Sequence, residues 1–572
     1  MLAVQLAALL GGGTEDAGTD AGHEEALALL DGFDDALVDG LARVSGERAD
    51  AVTALAAAFA GTPLADRLAE AADAVVSGSI AQEHLTALAC GRIALYGAVH
   101  DALLGRLDTA LGRERAEWPP TPGDPAADGS ASSGSVAGGA ASGGSAVDGA
   151  VPGDSAAGGG VSGGSATDGA AFGGSVAGGA VSAGSAVGGV VSGGSVPGGA
   201  VSGGSVAGGA VFGGSGTAAE AGGAGAQPVG NMLGGVRSWL RELAITGWRG
   251  VGHDLVSAAD QIIEALLGVP SLRRLAVLLD GFAAELRACC PVGSAERLPV
   301  RRWADLWTRA VLLSQDGVLT GEPRPAVTVS GRLLVLGVDV HEHGTAVQFQ
   351  VHAVLEPADG GRSRLVRTSV TVAKVDTIAG SALWKLSQHH KVLLAALAER
   401  RSLEITDMPL LDSGDLVWDD DRAFVSKPAD PLAAARLCLS GALAPAVPPL
   451  DRVPVRIAEP VLVEGYKVTR DGSFDLGGAV LAVDTERLPG CGPLTPALVR
   501  ASSACVGLVR WDGGQWTLQP LAVQTKVKRE TAVVATGDWA LGPTDPKAAK
   551  AEARAADAVS VLRERAGRLL RR

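Results

Sequence analysis

The sequence predicts a multidomain chain. An all-α helical region is interrupted by a Gly/Ala/Ser/Val low-complexity linker. A mainly antiparallel α+β domain follows, with a partly closed barrel as one form open to it, and then a C-terminal helix. Three observations carry this. Apolar residues recur at helical spacing before residue 117 and again over 231–318. Between Ser130 and Ser215 the chain repeats small residues with a period of five. From Ala326 onward the apolar period becomes two.

Residues 1–117 read as an acidic helical bundle. Leu27, Leu30, Phe33, Leu37 and Leu41 line one helix, with Asp and Glu between them. Ser45 is placed to cap a second helix through Val52, Leu55 and Phe59. Thr62-Pro63 is placed to open a third, with proline at its first position. Ser79 is placed to open a long fourth helix from Leu85 to Leu111, stopped by Trp118-Pro119-Pro120. Short connections between such helices predict antiparallel neighbours.

Residues 118–230 read as a disordered pentapeptide-repeat linker, with units such as Val-Ser-Gly-Gly-Ser. Glycine loses the most freedom on ordering, and Ala and Ser bury little. One small Val per five residues cannot offset roughly 1–2 kcal/mol per ordered residue. The rival is a short-period solenoid, but its ladder position would hold mostly Ala or Val, with only Phe172 and Phe212 larger.

Helical spacing resumes over 231–318. Val236, Leu240 and Leu243 with Trp239 and Trp248 lie on one helix, and others run over 254–267, 271–290 and 300–313. This region carries Arg237, Arg241, Arg301 and Arg302, whereas residues 1–117 hold a formal charge of −12. Opposite charge and the weak length dependence of loop entropy predict that 231–318 docks on 1–117.

The α+β domain spans 319–540. Strands are predicted from Val327, from Val347, over 366–375, and over 453–457, 461–468, 478–483, 505–511, 516–523 and 531–534. Asp376 is placed to cap a helix through Trp384 to Arg400. Trp511-Asp-Gly-Gly-Gln-Trp516 reads as a hairpin turn. Residues 541–572 read as an amphipathic helix with Val559, Leu562, Ala566 and Leu569 on one side.

The net charge of −15 argues against nucleic acid as a general partner, since phosphate binding needs basic surface. Six cysteines include no C-x-x-C pair, which predicts free thiols in a reducing compartment, with Cys289-Cys290 as buried thiols. No apolar run approaches a membrane span, and the first ten residues lack a basic region, so a cytoplasmic protein with no membrane partner is predicted.

Two phrases, Leu240-Arg-Glu-Leu-Ala-Ile-Thr-Gly-Trp-Arg-Gly-Val-Gly-His253 and Leu298-Pro-Val-Arg-Arg-Trp-Ala-Asp-Leu-Trp-Thr-Arg309, resemble uncharacterised proteins of high-GC bacteria. Those proteins accompany MoxR-type ATPases and von Willebrand-type modules. The resemblance covers little of the chain and implies an accessory role with an AAA-type ATPase as partner. It carries over no catalytic residue.

The candidate chemistry is weighed residue by residue. Asp339, His341 and His343 share one strand face. The hairpin turning at 343–345 sets His352 opposite Val335 or Leu336, away from His341, so this hairpin does not build a three-histidine metal site. His389 and His390 point apart at a break between two helices. Asp412, Asp415 and Asp419 to Asp421 lack the glycine position and closing Glu of a calcium loop. Gly247-Trp-Arg-Gly250-Val-Gly252 lacks the Gly-Lys-Ser/Thr ending of a phosphate loop and reads as a turn. Ser502, Ser503 and Cys505 have no nearby His in sequence. Trp303 and Trp307 read as a core stripe, and Lys526, Lys528 and Arg529 as an exposed strand face. The reading therefore assigns no catalytic, cofactor-binding or metal residue and no cofactor. It predicts a non-catalytic cytoplasmic adaptor or scaffold in a bacterial multi-protein system. The alternatives are an enzyme with its site in the α+β domain and nucleic-acid binding through the basic C-terminal part.

Overall fold

The computed structural model describes residues 9–10, 17–44, 46–119, 226–319, 327–342, 346–374, 378–512, 514–527, 530–544, 546 and 549–550. The pentad tract, Ser45, His343, Asp376, Lys528, Arg529 and most of 541–572 lie outside them. Helices come first in the chain, followed by a mixed region with two sheets. The chain divides into two compact units. One holds 16–100 and 175–323; the other holds 1–15, 101–174 and 324–572.

The first unit is helical. Before the tract it contains α1 (Ala17–Asp39), α2 (Glu47–Ala57), α3 (Ala65–Ser77) and the part of α4 (Gln82–Leu111) up to His100. After the tract it contains α5 (Ala226–Thr246), α6 (His253–Leu267), α7 (Arg273–Ala288) and α8 (Val300–Leu313). Helices from the two sides of the tract pack on each other, α1 against both α5 and α8. Gly40 and Gly247 mark the closest approach. Both have positive φ, and a Cβ at Gly40 would sit 2.4 Å from the Ile245 carbonyl oxygen. Only glycine fits such a crossing. Trp248 meets both Phe282 and Trp303 edge to face, with centroids 5.8 and 6.2 Å apart. Trp303 and Trp307 are fully buried, as a core stripe requires.

Two helix starts differ from the sequence reading. α3 begins at Ala65, because Thr62 forms a turn that precedes the helix, its hydroxyl accepting from the Leu64 amide. α4 begins at Gln82: Ser79 follows the left-handed Gly78 that ends α3, and its hydroxyl bonds to that of Ser77. Helix α4 also stops at Leu111, where Gly112 has φ 62°, ahead of the tryptophan–proline stop.

The second unit is built on two sheets. The first has the strand order β1 (Val327–Glu342), β2 (Ala346–Pro357), β3 (Arg364–Ala373), β5 (Asp415–Leu416), β4 (Arg401–Leu410) and β6 (Ala423–Pro428). A further β1–β4 pairing closes five of these strands into a ring, leaving β6 outside on β4. Leu333, Val335, Val338, Phe349 and Val351 fill the ring, with Trp384 stacked on Phe349 at 4.3 Å. The second sheet runs β7 (Ala458–Glu464), β11 (Ser502–Asp512), β12 (Gln515–Val527), β10 (Val480–Val483), β9 (Phe474–Asp475) and β8 (Lys467–Val468). Strand β13 (Glu530–Ala535) pairs with β12 beside this path. Leu334, Leu336 and Val354, on the outer face of the ring, pack with Leu462, Val506 and Ala522 of the second sheet and with α10 (Pro431–Cys438). Residues 113–116 also belong here, bridging to Ala444, which lies beside the start of β3.

Several elements depart from the periodicity. Residues 453–457 are not a strand: Pro454 at the head of a 3-10 turn removes a ladder donor, and β7 starts at Ala458. The helix expected from 376 to 400 is two pieces, a 3-10 segment Gly380–Ser387 and α9 (Lys391–Glu399), with His390 capping the second. Strands β4, β5 and β6 carry no clear period-two pattern. Arg401–Leu410 carries Asp407 at φ 48° and a register shift against β1, which break the period-two pattern.

Candidate functional site

A cluster of buried ionisable side chains lies between the two sheets of the second unit. It follows from a bulge. The β1–β2 register shifts by one between Val335 and Gly337, so His352 faces Gly337 rather than Val335 or Leu336. Gly337 sits against Leu521 of β12, where a Cβ would come to 2.6 Å. Past the bulge Val338 still points into the ring, and Asp339 points out toward the second sheet.

Asp339 is almost wholly buried and every partner it has is polar. Arg510 Nη2 donates to its Oδ2 at 2.6 Å, Gln519 Nε2 to its Oδ1 at 2.7 Å, and His341 Nε2 stands 3.0 Å from Oδ2. Arg510 Nε donates in turn to Gln519 Oε1 at 2.6 Å. Burial by itself would push the Asp339 carboxyl up. The His341 hydrogen bond and the Arg510 charge, with Gln519, outweigh burial and hold it well below the usual carboxylate range. Burial likewise disfavours the charged form of Arg510, here lowering it from the ordinary arginine value.

A second knot lies along β7. Arg113 Nη1 and Arg115 Nη2 each approach Glu459 at 3.0 Å, and Arg115 Nε donates to Asp108 Oδ2 at 2.8 Å. Burial opposes ionisation of Glu459, but Arg115 and Arg113 overcome it and lower the carboxyl. Arg367 pairs in bidentate fashion with Asp415, at 2.6 and 3.1 Å. His352 is buried among these charges, and its Nε2 has no hydrogen-bond partner. Burial holds its imidazole down at about 4, against the pull of Asp339 and with the push of Arg367 and Arg510.

The sequence candidates sort as follows. Asp339 and His341 do meet, through a 3.0 Å contact between Nε2 and the carboxylate rather than as a ligand set. His343 lies outside the described residues. The rings of His389 and His390 come together, tilted by 47° with centres 4.0 Å apart, rather than pointing apart; Asp420 accepts the Val392 amide at 2.8 Å and the Trp418 indole at 2.7 Å, so it holds the start of α9. Asp415 serves Arg367, and Asp419 caps its own turn. Ser502 donates to the Val499 carbonyl and bonds Tyr466, and Cys505 is buried. Among the described residues no group of three His, Cys, Asp or Glu side chains comes together to hold a metal. The Gly247–Gly252 stretch is the turn between α5 and α6. Cys289 and Cys290 are half-buried rather than buried, because they close the exposed end of α7.

Sequence reasoning missed Arg510, Gln519, Glu459, Arg113, Arg115 and Arg367. Two left a signal: Arg510 and Gln519 each interrupt an apolar strand at a buried position. Two small cavities of about 10 Å³ each, one inside the ring and one beside Gly537, have room for a single water. Among described residues one helix, Gln82–Leu111, is long and apolar enough to cross a membrane, and 56% of its most apolar window is buried. No family model, curated protein or solved structure matches the chain.

Proposed function

We propose that the chain is a non-catalytic adaptor or scaffold in a bacterial cytoplasmic multi-protein system, accessory to a MoxR-type AAA ATPase. One observation supports the reading above others. The interlayer cluster spends its charges on each other: Asp339 on Arg510 and His341, Glu459 on Arg113 and Arg115, Asp415 on Arg367. Groups tied this way hold layers in register and rigidify a platform, which is work a scaffold needs. In the same reading the ring sheet is a partly closed barrel whose interior is core. The resemblance of the 240–253 and 298–309 phrases supplies the partner class.

The experiment is reconstitution. The full chain and a MoxR-type ATPase from the same genome are purified, mixed at about 10 μM and run through size exclusion with mass detection. A complex of fixed stoichiometry, with altered ATP turnover, is the expected result. Separate elution of both proteins, with turnover unchanged, would remove the ATPase as partner. Salt-dependent retention of the chain on DNA would instead favour the nucleic-acid reading.

A further inference from the structure

The ring sheet and the second sheet meet across a polar layer in which the buried His352 Nε2 has no hydrogen-bond partner among the described residues. Its neighbours on β2, Val351 and Ala353, face the ring interior, so the imidazole faces the second sheet. Cross-strand from it are Gly337 on β1 and Arg367 on β3. Across the gap are Arg510 on β11 and Glu459 on β7, and Asp339 completes the set on β1. The two carboxylates in that set already have cations: Asp339 has Arg510, with His341 as a hydrogen-bond partner, and Glu459 has Arg113 and Arg115. An imidazolium at His352 would enter a site holding two guanidinium groups and no uncommitted carboxylate. Its Nε2 proton would have no acceptor, and both the unmatched charge and the unmade hydrogen bond are costly inside a fold.

We infer that His352 is an acid-sensitive latch: its protonation separates the second sheet from the ring and exposes the apolar interlayer around Leu334, Leu336 and Val506.

The direction follows from linkage. The folded form holds the imidazole at about 4, below the ordinary 6.5. The stabilisation is therefore complete above 6.5 and is lost as pH falls from 6.5 through 4. That displacement corresponds to roughly a 300-fold bias toward the opened form once the imidazole is protonated. Asp339 and Glu459 are held below their ordinary values, so both stay ionised through the upper part of that window. Asp108 is raised by burial and titrates nearer the same window, so its contribution has to be subtracted by a variant. Tryptophan emission also reports on the second sheet: Trp511 and Trp516 sit in the β11–β12 hairpin, on the face away from the gap, with ring centres 5.2 Å apart.

The test uses the full chain, its His352→Phe variant and a milder His352→Gln variant, with an apolar dye and tryptophan emission followed from pH 7.5 to 3.5. Imidazole carbon resonances of isotope-labelled histidine report protonation directly, with His352 assigned by its loss in either variant. The wild-type chain should bind dye reversibly between pH 6.5 and 4, in step with the His352 resonance. Whichever variant folds should hold its layers closed to lower pH. The inference is overturned if wild type and variant open at the same pH. It is also overturned if His352 titrates near 6.5, or if it is protonated while the layers stay closed.

Discussion

Arg92 and Asp34 form a pair whose removal tests how the helical unit is held together. Arg92 on α4 is fully buried and Asp34 on α1 is 1% exposed. Arg92 Nε donates to Oδ1 at 2.6 Å and Nη2 to Oδ2 at 2.8 Å. Nη2 also reaches the Arg301 carbonyl on α8 at 3.3 Å, and the guanidinium lies 5.4 Å from the Tyr96 ring centre. One side chain thus joins helices from both sides of the tract. Arg92→Met keeps length and packing but leaves the Asp34 carboxylate buried and uncompensated. Such a break costs about 3–5 kcal/mol, a large share of the roughly 5–15 kcal/mol that holds a domain folded. At about 2–4 °C per kcal/mol for a unit of this size, the melting point should fall by about 6–20 °C. The double variant Asp34→Leu with Arg92→Met removes both charges and should recover most of that loss, since apolar replacement of a buried pair is often neutral. Trp239, Trp248, Trp303 and Trp307 all lie in this unit, so tryptophan emission during urea unfolding reports it. A single variant within about 1 kcal/mol of wild type would show that Asp34 reaches water or takes up a proton, burial having already raised its carboxyl to about 6, and would refute the reasoning.

Other perturbations have equally definite outcomes. Gly40→Ala places a methyl against the Ile245 carbonyl in a left-handed conformation and should cost more than about 2 kcal/mol; Gly281→Ala, in open space on α7, should stabilise by about 0.5–1 kcal/mol, and paired melts of the two variants check both signs. Asp339→Asn leaves Arg510 buried without its anion and should destabilise the second unit by about 3–5 kcal/mol at neutral pH, read by urea unfolding of Trp511 and Trp516 emission. Burial raises the Cys505 thiol and pushes Cys491 up to about 12, so iodoacetamide on the native protein should spare both while reaching Cys289 and Cys438, with peptide mass mapping as the readout.

How much was legible depended on how local the signal was. Apolar spacing over residues 254–267 and 300–313 marked α6 and α8 closely, because a helix writes its buried stripe into its own sequence. The hairpin of β1 and β2 was equally readable, as alternation about a turn. The interlayer cluster was not. Arg113, Asp339, Glu459 and Arg510 are far apart in the chain, and no local period records that they meet. The register was misplaced by one residue because a bulge at Gly337 is set by Leu521, which belongs to another sheet.

The sequence by itself determined the main helices of the first unit, the β1–β2 hairpin and the change of period after residue 318. It also determined the charge asymmetry, since each of these is a property of neighbouring residues. Only the tertiary structure decided that β1 turns back to pair with β4 and close the ring, that residues 113–116 join the second unit, and that Asp34 meets Arg92. Those outcomes depend on which buried charge finds its counter-charge and which backbone can approach without a Cβ. Both are set by contacts between segments distant in the chain, where sequence spacing carries no information.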